Sequence, residues 1–327
     1  MATQALTREI RPTLANIRAA KEFLAQYFAA TRLVDATALS RATGKRVQLK
    51  LETELPTASF KVRGAMWALS ERLKREEVTE VVASSTGNHG AAVAYAAQKL
   101  GVKATIFLPE NCNPVKRDRI AKLGATILKG GVDISDAFEE VKNYAKKSGT
   151  YFLNDATDLV LPAGPGTIGM EILEQAPDTQ AIYVPMGDTA LIRGIAAAAR
   201  QISPGVKIVG VQAERAPAYT LSWRQGEAIC TDTCDTIADG LATRTTFSEN
   251  VVAIRDLVDD VVLVSEEEML SAIGRLLFEE QVLAEPSGAA TTAALLSNTD
   301  AAEEKIALVV SGANISRSVL QRAIAVQ

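Results

Sequence analysis

Val81–Leu100 reads VVASSTGNHGAAVAYAAQKL. A short β-branched run leads into a turn of glycine and small hydroxyl residues, and the turn leads into an alanine-rich helical stretch. An apolar run of this kind, bounded by turn signals, reads as a buried parallel strand. The pattern recurs along most of the chain. Val81–Ala83, Ala104–Leu108, Ala125–Leu128, Ile182–Val184, Ile208–Val211, Val261–Val264 and Ile306–Val310 are strand candidates, separated by stretches rich in Ala, Leu, Glu and Lys. Strand alternating with helix predicts an α/β fold with a parallel sheet. Away from this alternation, Leu14, Ile17, Leu24 and Phe28 recur near helical spacing and predict an amphipathic helix over about 13–30. Ser265 and Glu268 form a capping box that starts a helix running toward Gln281. A domain boundary near residue 150 is weakly marked, and 221–257 shows mixed polarity without a clear period.

Composition narrows the function classes. The 327 residues, 47% hydrophobic and 23% charged, are ordinary for a soluble enzyme and enough for a large core. A net charge of −4 gives no electrostatic reason to expect nucleic acid or an anionic membrane as partner. No apolar run approaches the roughly 20 residues needed to span a bilayer. The opening MATQALTREIRPTL lacks the basic start and apolar stretch of a secretory signal, so a cytoplasmic location is expected. Cys112, Cys230 and Cys234 are too few and odd in number for a disulfide framework. Cys230 and Cys234 read better as inert thiols than as zinc ligands, because the only histidine, His89, is distant in sequence. Any proton shuttle other than His89 must be Lys, Asp, Glu, Ser, Thr or Tyr.

Three further stretches carry chemistry. In PTASFKVRGA, Pro56–Ala65, Lys61 falls at the start of a predicted helix that runs to Leu73. Positive charge is disfavoured there by the helix dipole. The place is poor for a structural lysine and good for one whose amine must lose its proton and form an imine. The turn Ser84–Gly90 is an anion cradle at a helix N-terminus, or an ordinary strand-to-helix turn with Ser as N-cap; chemistry alone leaves both open. Pro185-Met186-Gly187-Asp188-Thr189-Ala190-Leu191 is a second cradle, suited to a phosphate through helix-start N–H groups and the Thr189 hydroxyl. Asp188 is awkward beside an anion unless it turns away to cap the helix. Ser311-Gly312-Ala313-Asn314 follows the last strand. Two anion cradles and a helix-start lysine fit a cofactor that carries both a phosphate and an aldehyde.

The motifs PTASFKVRGA, SSTGNHGAAVAYAA, GPGTIGMEI, TIADGLA and EPSGAA, in this order, resemble the serine/threonine dehydratase group of fold-type II pyridoxal-phosphate (PLP) enzymes, to which serine racemase also belongs. The resemblance runs from about residue 10 to the C-terminus. It implies two domains, each a mostly parallel sheet flanked by helices, with PLP in the cleft between them. Residues 1–52 and 151–327 would form the large cofactor-binding domain, and 53–150 the small domain that binds the substrate carboxylate. It implies Lys61 as the lysine that links to PLP and later moves the Cα proton, and Phe60 as the aromatic packed on the pyridine ring. Asn88 would bond the ring hydroxyl and Ser311 face the pyridine nitrogen. Ser85, Thr86, Gly87 and His89 would grip the substrate carboxylate, while Gly187, Asp188, Thr189 and Ala190 align with the phosphate loop. A homodimer or homotetramer is implied by the same resemblance.

Departures from the pattern matter. The usual tetraglycine is GDTA here, which puts the placement of Asp188 and Ala190 at the phosphate in question. Thr86 stands where serine racemase carries a second-face serine and where threonine dehydratases commonly carry alanine. Glu214 matches one ligand of a divalent-metal site seen in some relatives, but ERAPAY offers no acidic partner. The chain ends soon after SGAN, so no C-terminal regulatory domain is expected. The activity implied is α,β-elimination of water from a β-hydroxy amino acid such as threonine or serine, giving a 2-oxo acid and ammonia. The alternatives are an amino-acid racemase, a dehydratase for phenylserine or 3-hydroxyaspartate, and a PLP-binding sensor that has lost catalysis.

Overall fold

A computed structural model describes residues 11–110, 112, 114–131, 134–298 and 302–326. In chain order its strands are β1 (Leu33–Asp35), β2 (Arg46–Leu51), β3 (Glu80–Ser84), β4 (Lys103–Leu108), β5 (Thr126–Lys129), β6 (Thr150–Phe152), β7 (Ala181–Pro185), β8 (Lys207–Ala213), β9 (Asp260–Val264) and β10 (Lys305–Val310). The helices are α1 (Leu14–Leu24), α2 (Thr37–Thr43), α3 (Lys61–Leu73), α4 (Asn88–Leu100), α5 (Pro114–Lys122), α6 (Ile134–Tyr144) and α7 (Ala163–Gln175), then α8 (Ala190–Ile202), α9 (Ala218–Gln225), α10 (Ser248–Leu257), α11 (Glu266–Glu279), α12 (Pro286–Ser297) and α13 (Arg317–Ala325).

The strands form two sheets. One has six strands in the order β1-β2-β10-β7-β8-β9, antiparallel only at β1–β2. The other has four parallel strands in the order β5-β4-β3-β6. Each of the seven predicted strands is present within a residue or two. The helix predicted over about 13–30 is shorter, Leu14–Leu24, and starts with a capping box between Thr13 and Asn16. The predicted Ser265–Glu268 capping box starts α11. Side-chain alternation along β10 explains how the larger sheet is covered on both faces. Ile306, Leu308 and Val310 join a core with Leu49, Val211 and Ile273, while Ala307 and Val309 join another with Ile182, Val184 and Ile192. The smaller sheet packs Val81 and Ile106 against Val93 of α4.

Two contacts fix α3 against the larger sheet. Arg63 is buried and fully paired: Nε and Nη2 donate to Glu52 at 2.7 and 2.9 Å, and Nη1 and Nη2 to Glu171 of α7 at 2.6 and 2.9 Å. Lys50 Nζ of β2 donates to the same Glu171 at 2.6 Å. The second contact is backbone on backbone, through α7. A Cβ on Gly164 would lie 2.5 Å from Arg63 O and 2.7 Å from Gly64 Cα, so only glycine permits this approach of α7 to α3. On the other side, a Cβ on Gly194 of α8 would lie 2.6 Å from Gly166 N of α7. Helix α7 therefore touches both α3 and α8 at the level of main chain.

Candidate active site

Lys61 is the first residue of α3, as its sequence context predicts. The chain reaches it through Ala58, at φ 52°, and a bridge in which Phe60 N–H donates to Ser311 O at 3.0 Å and Ala313 N–H to Ala58 O at 3.0 Å. This pairing sets the lysine beside the end of β10. The Ser84–Gly90 turn joins β3 to α4, and Gly87 is the N-cap with no side chain to cap with. The reading with Ser as N-cap is therefore not the arrangement found. Ser85 Oγ instead accepts from Gly87 N–H at 3.2 Å, and Ser84 Oγ is buried without a hydrogen-bond partner. The second cradle joins β7 to α8, where Thr189 is the N-cap and its side chain also leaves the helix start uncapped. Thr189 adopts φ 70°, ψ −12°. For a β-branched residue this left-handed conformation costs on the order of 1–3 kcal/mol.

These stretches converge. Phe60, Lys61, Ser85, Thr86, Gly87, Asn88, His89, Gly187, Asp188, Thr189, Ala190 and Ser311 all line one cavity of about 1240 Å³. Glu214 does not; it is exposed just beyond β8. Among the described residues no three His, Cys, Asp or Glu side chains gather as a metal-ligand set.

The electrostatics around Lys61 differ from the sequence expectation of an amine poised to be neutral. Lys61 Nζ is ion-paired with Asp155, which follows β6, and their side chains are 14% and 13% exposed. Burial is the largest influence on Lys61 and pushes its pKa down, but Asp155, then Asp188 and Glu285, outweigh it and leave the pKa raised. Burial likewise pushes Asp155 up, and His89 and Lys61 overcome it, holding the carboxyl below its ordinary range. His89 is fixed between two partners, with Nε2 2.9 Å from Leu153 O and Nδ1 3.5 Å from Asp155. Asp155 was not singled out from sequence. The only signal was an acid just after the short triplet Thr150–Phe152, 94 residues from Lys61 in the chain.

Asn88 is held as firmly. Its Nδ2 donates to Glu285 Oε1 at 2.7 Å, and its Oδ1 accepts from Asn314 Nδ2 at 2.5 Å. Burial drives Glu285 up to about 7, opposed by the Asn88 hydrogen bond. Glu285 lies in the EPSGAA motif and Asn314 in SGAN, yet neither had a role by sequence. Asp188 does not cap α8; its Oδ1 accepts from Thr243 Oγ1 at 3.1 Å. Burial, then Asp155, push the Asp188 carboxyl upward. Across the cavity, Lys116 of α5 is ion-paired with Asp239.

The donor set fits PLP. A buried primary amine suits the aldehyde, an uncapped helix start with a hydroxyl suits the phosphate, and an aromatic ring lies beside the lysine, with Nζ 5.4 Å from the Phe60 ring centre.

Comparison with known proteins agrees. The family model described as pyridoxal-phosphate dependent enzyme matches residues 24–312. The L-threonine ammonia-lyase of Thermotoga maritima is 36% identical over 312 residues, covering 95% of this chain and 78% of that protein. The structure of the processed form of threonine deaminase isoform 2 from Solanum lycopersicum superposes with a TM-score of 0.91 at 30% identity, covering 99% of this chain and 88% of that one. Maize serine racemase does so with a TM-score of 0.90 at 29% identity, covering 96% and 97%. With the family match running from α1 to the turn after β10 and the cofactor's donor set in one cavity, the chain belongs to the pyridoxal-phosphate dependent enzymes.

Proposed function

We propose that this enzyme removes water from a β-hydroxy amino acid, threonine or serine, by α,β-elimination, giving a 2-oxo acid and ammonia. One observation carries the reading: Lys61, the Ser84–Gly90 turn and the start of α8 meet in one cavity, in a chain 36% identical over 95% of its length to an L-threonine ammonia-lyase. Bound PLP supplies an electron sink that acidifies the Cα–H of the amino acid joined to it.

The remaining work falls to the chain's own side chains. Lys61 Nζ anchors the cofactor and, once released, takes the proton from Cα. To do so the amine must first be neutral, so its proton has to leave against the pull of Asp155, its ion-pair partner. Ser85, Thr86, Gly87 and His89 bind the substrate carboxylate at the start of α4, where backbone N–H groups and the helix dipole favour an anion. Asn88, braced by Glu285 and Asn314, orients the ring hydroxyl. Phe60, beside Lys61, would pack on the ring of bound PLP. Gly187, Asp188, Thr189 and Ala190 form the phosphate loop, with the Thr189 hydroxyl as donor. Ser311, a neutral hydroxyl lining the cavity, would face the ring nitrogen of bound PLP and would leave the ring less protonated than a carboxylate there. In this reading 53–150 carries the carboxylate site together with Phe60, Lys61 and Asn88, and 1–52 with 151–327 carries the phosphate loop and Ser311.

A racemase reading draws on the likeness to maize serine racemase. Inversion needs an acid/base on each face of Cα, and Thr86 is the side chain that would serve the second face. A panel of D- and L-threonine, serine, phenylserine and 3-hydroxyaspartate, assayed for 2-oxo acid and for chirality of residual substrate, separates the two. Steady 2-oxo acid from threonine or serine is expected. Inversion outrunning it would hand the assignment to racemisation, and no 2-oxo acid from any substrate would end the dehydratase reading.

A further inference from the structure

Arg193 lies one turn inside α8, four residues after the N-cap Thr189. It is 1% exposed. Its Nε donates to Thr189 Oγ1 at 3.1 Å, while neither Nη1 nor Nη2 meets a hydrogen-bond partner among the described residues. Arg63, equally buried, makes the contrast, with all three of its nitrogens paired to Glu52, Glu171 and neighbouring hydroxyls. A guanidinium stays charged in proteins, and a buried charge without a partner is strongly destabilising. Burial pushes the Arg193 pKa down to about 10, against Tyr219, Asp188, Asp158 and Asp155.

Among the described residues none of those carboxylates makes a hydrogen bond or an ion pair with it. Asp188 accepts from Thr243, and Asp155 is ion-paired with Lys61. Asp158 Oδ1 accepts from Val160 and Leu161 N–H at 2.8 and 2.9 Å, and its Oδ2 is taken by Tyr151 OH. The fold thus keeps a buried cation behind a helix start with no carboxylate in direct contact among the described residues.

The direction of the Arg193–Thr189 bond adds a second point. Arginine can only donate, so Thr189 Oγ1 is the acceptor, and the hydroxyl's own proton is left to point elsewhere. Thr189 lines the cavity and caps no helix N–H. We infer that Arg193 is a positioning residue for the cofactor phosphate: it holds the Thr189 hydroxyl with its proton directed to the anion and places a positive charge behind that anion. It thereby compensates Asp188, the acid that the GDTA loop introduces where the resembling enzymes carry glycine. The inference rests on the phosphate assignment made above for the α8 start.

The test compares PLP with pyridoxal, which lacks the phosphate, in titrations of the cofactor-free full-length chain followed by absorbance. Arg193→Met and Thr189→Val are each expected to weaken PLP by roughly tenfold or more while changing pyridoxal less than about twofold. The double variant should lose little more than the worse single one, because the two side chains act as a unit. Inorganic phosphate should compete with PLP in the parent and more weakly in Arg193→Met. Equal loss of PLP and pyridoxal, or no loss of PLP, in Arg193→Met overturns the inference. If Thr189→Val alone shows the selective loss, the phosphate site stands and Arg193 has no part in it. If neither variant shows it, the phosphate assignment itself fails. Should Arg193→Met not fold, Arg193→Lys keeps a buried charge but not the fork; a severalfold selective loss of PLP is expected, and an unchanged PLP-to-pyridoxal ratio overturns the inference.

Discussion

Asp155→Asn removes the carboxylate that holds the proton on Lys61 and leaves a side chain of the same size that still accepts a hydrogen bond. Two unit charges about 4 Å apart at an effective dielectric of ~20 attract by ~4 kcal/mol. Asp155 is shared with His89 Nδ1 at 3.5 Å, and the paired side chains keep 14% and 13% exposure. Taking half of the Coulomb figure for sharing and residual solvent leaves ~2 kcal/mol, or about 30-fold in the neutral fraction of the amine. The sign follows from the balance at Lys61, where burial opposes the proton and Asp155 is the foremost group that keeps it on. The neutral amine should therefore appear at lower pH in the variant. The assay is reductive methylation of the cofactor-free protein across a pH series, with the modification of Lys61 followed by peptide mass spectrometry. At a pH near 8 the Lys61 rate should rise by about 30-fold while surface lysines react as before. A Lys61 profile that stays where it is, or moves to higher pH, would refute the claim that Asp155 sets this proton.

Other outcomes follow from the same structure. The protein loaded with PLP should be yellow, and borohydride should bleach it and leave the reduced adduct on Lys61, as read by mass spectrometry; an adduct on another lysine removes the central assignment. Lys61→Ala should bind PLP weakly and lose turnover, measured as 2-oxo acid release, because both the link and the Cα base are gone. Thr86→Ser should raise any inversion of substrate seen by chiral chromatography, and Thr86→Ala should keep most elimination, since a stiff, weakly acidic Thr is poorly suited to reprotonate Cα. Glu171→Ala should cost about 3–5 kcal/mol in urea unfolding, because it leaves two buried cations, Arg63 and Lys50, with Glu52 as the one carboxylate beside them among the described residues. Burial pushes the Glu171 carboxyl up, but Arg63 and Lys50 outweigh it and hold the pKa below its ordinary 4.5. That contribution is complete above the unfolded value and is lost as the pH falls through the folded one, so the gap between parent and variant should narrow only below about pH 4.5.

The sequence was legible where the physics is local. Runs such as Ile306–Val310 announce strands because both faces of the larger sheet are covered and every position is apolar. Strand β2 was not foreseen, since RVQLKL puts Lys50 at a buried position that only becomes sensible beside Glu171. Strands β1 and β6 have three residues each, too short for a period. Strand order is equally invisible, because β10 is inserted between β2 and β7 by contacts across the whole chain. At the site, Lys61 and the Ser84–Gly90 turn could be read from their own neighbours. Asp155 and Arg193 could not: their meaning comes from Lys61, 94 residues away, in one case, and from a missing partner in the other.

The glycine contacts of α7 bear on how accurately the enzyme's working distances are kept. Lys61 opens α3 and the Gly187–Ala190 loop leads into α8, and both helices rest directly on α7 through main chain at Gly164 and Gly194. A spacing set by side chains drifts as rotamers exchange, whereas a main-chain contact has no rotamer to exchange. The Lys61 amine and the Gly187–Ala190 loop are thus gauged from one common rod, α7, through contacts that do not depend on side-chain rotamers.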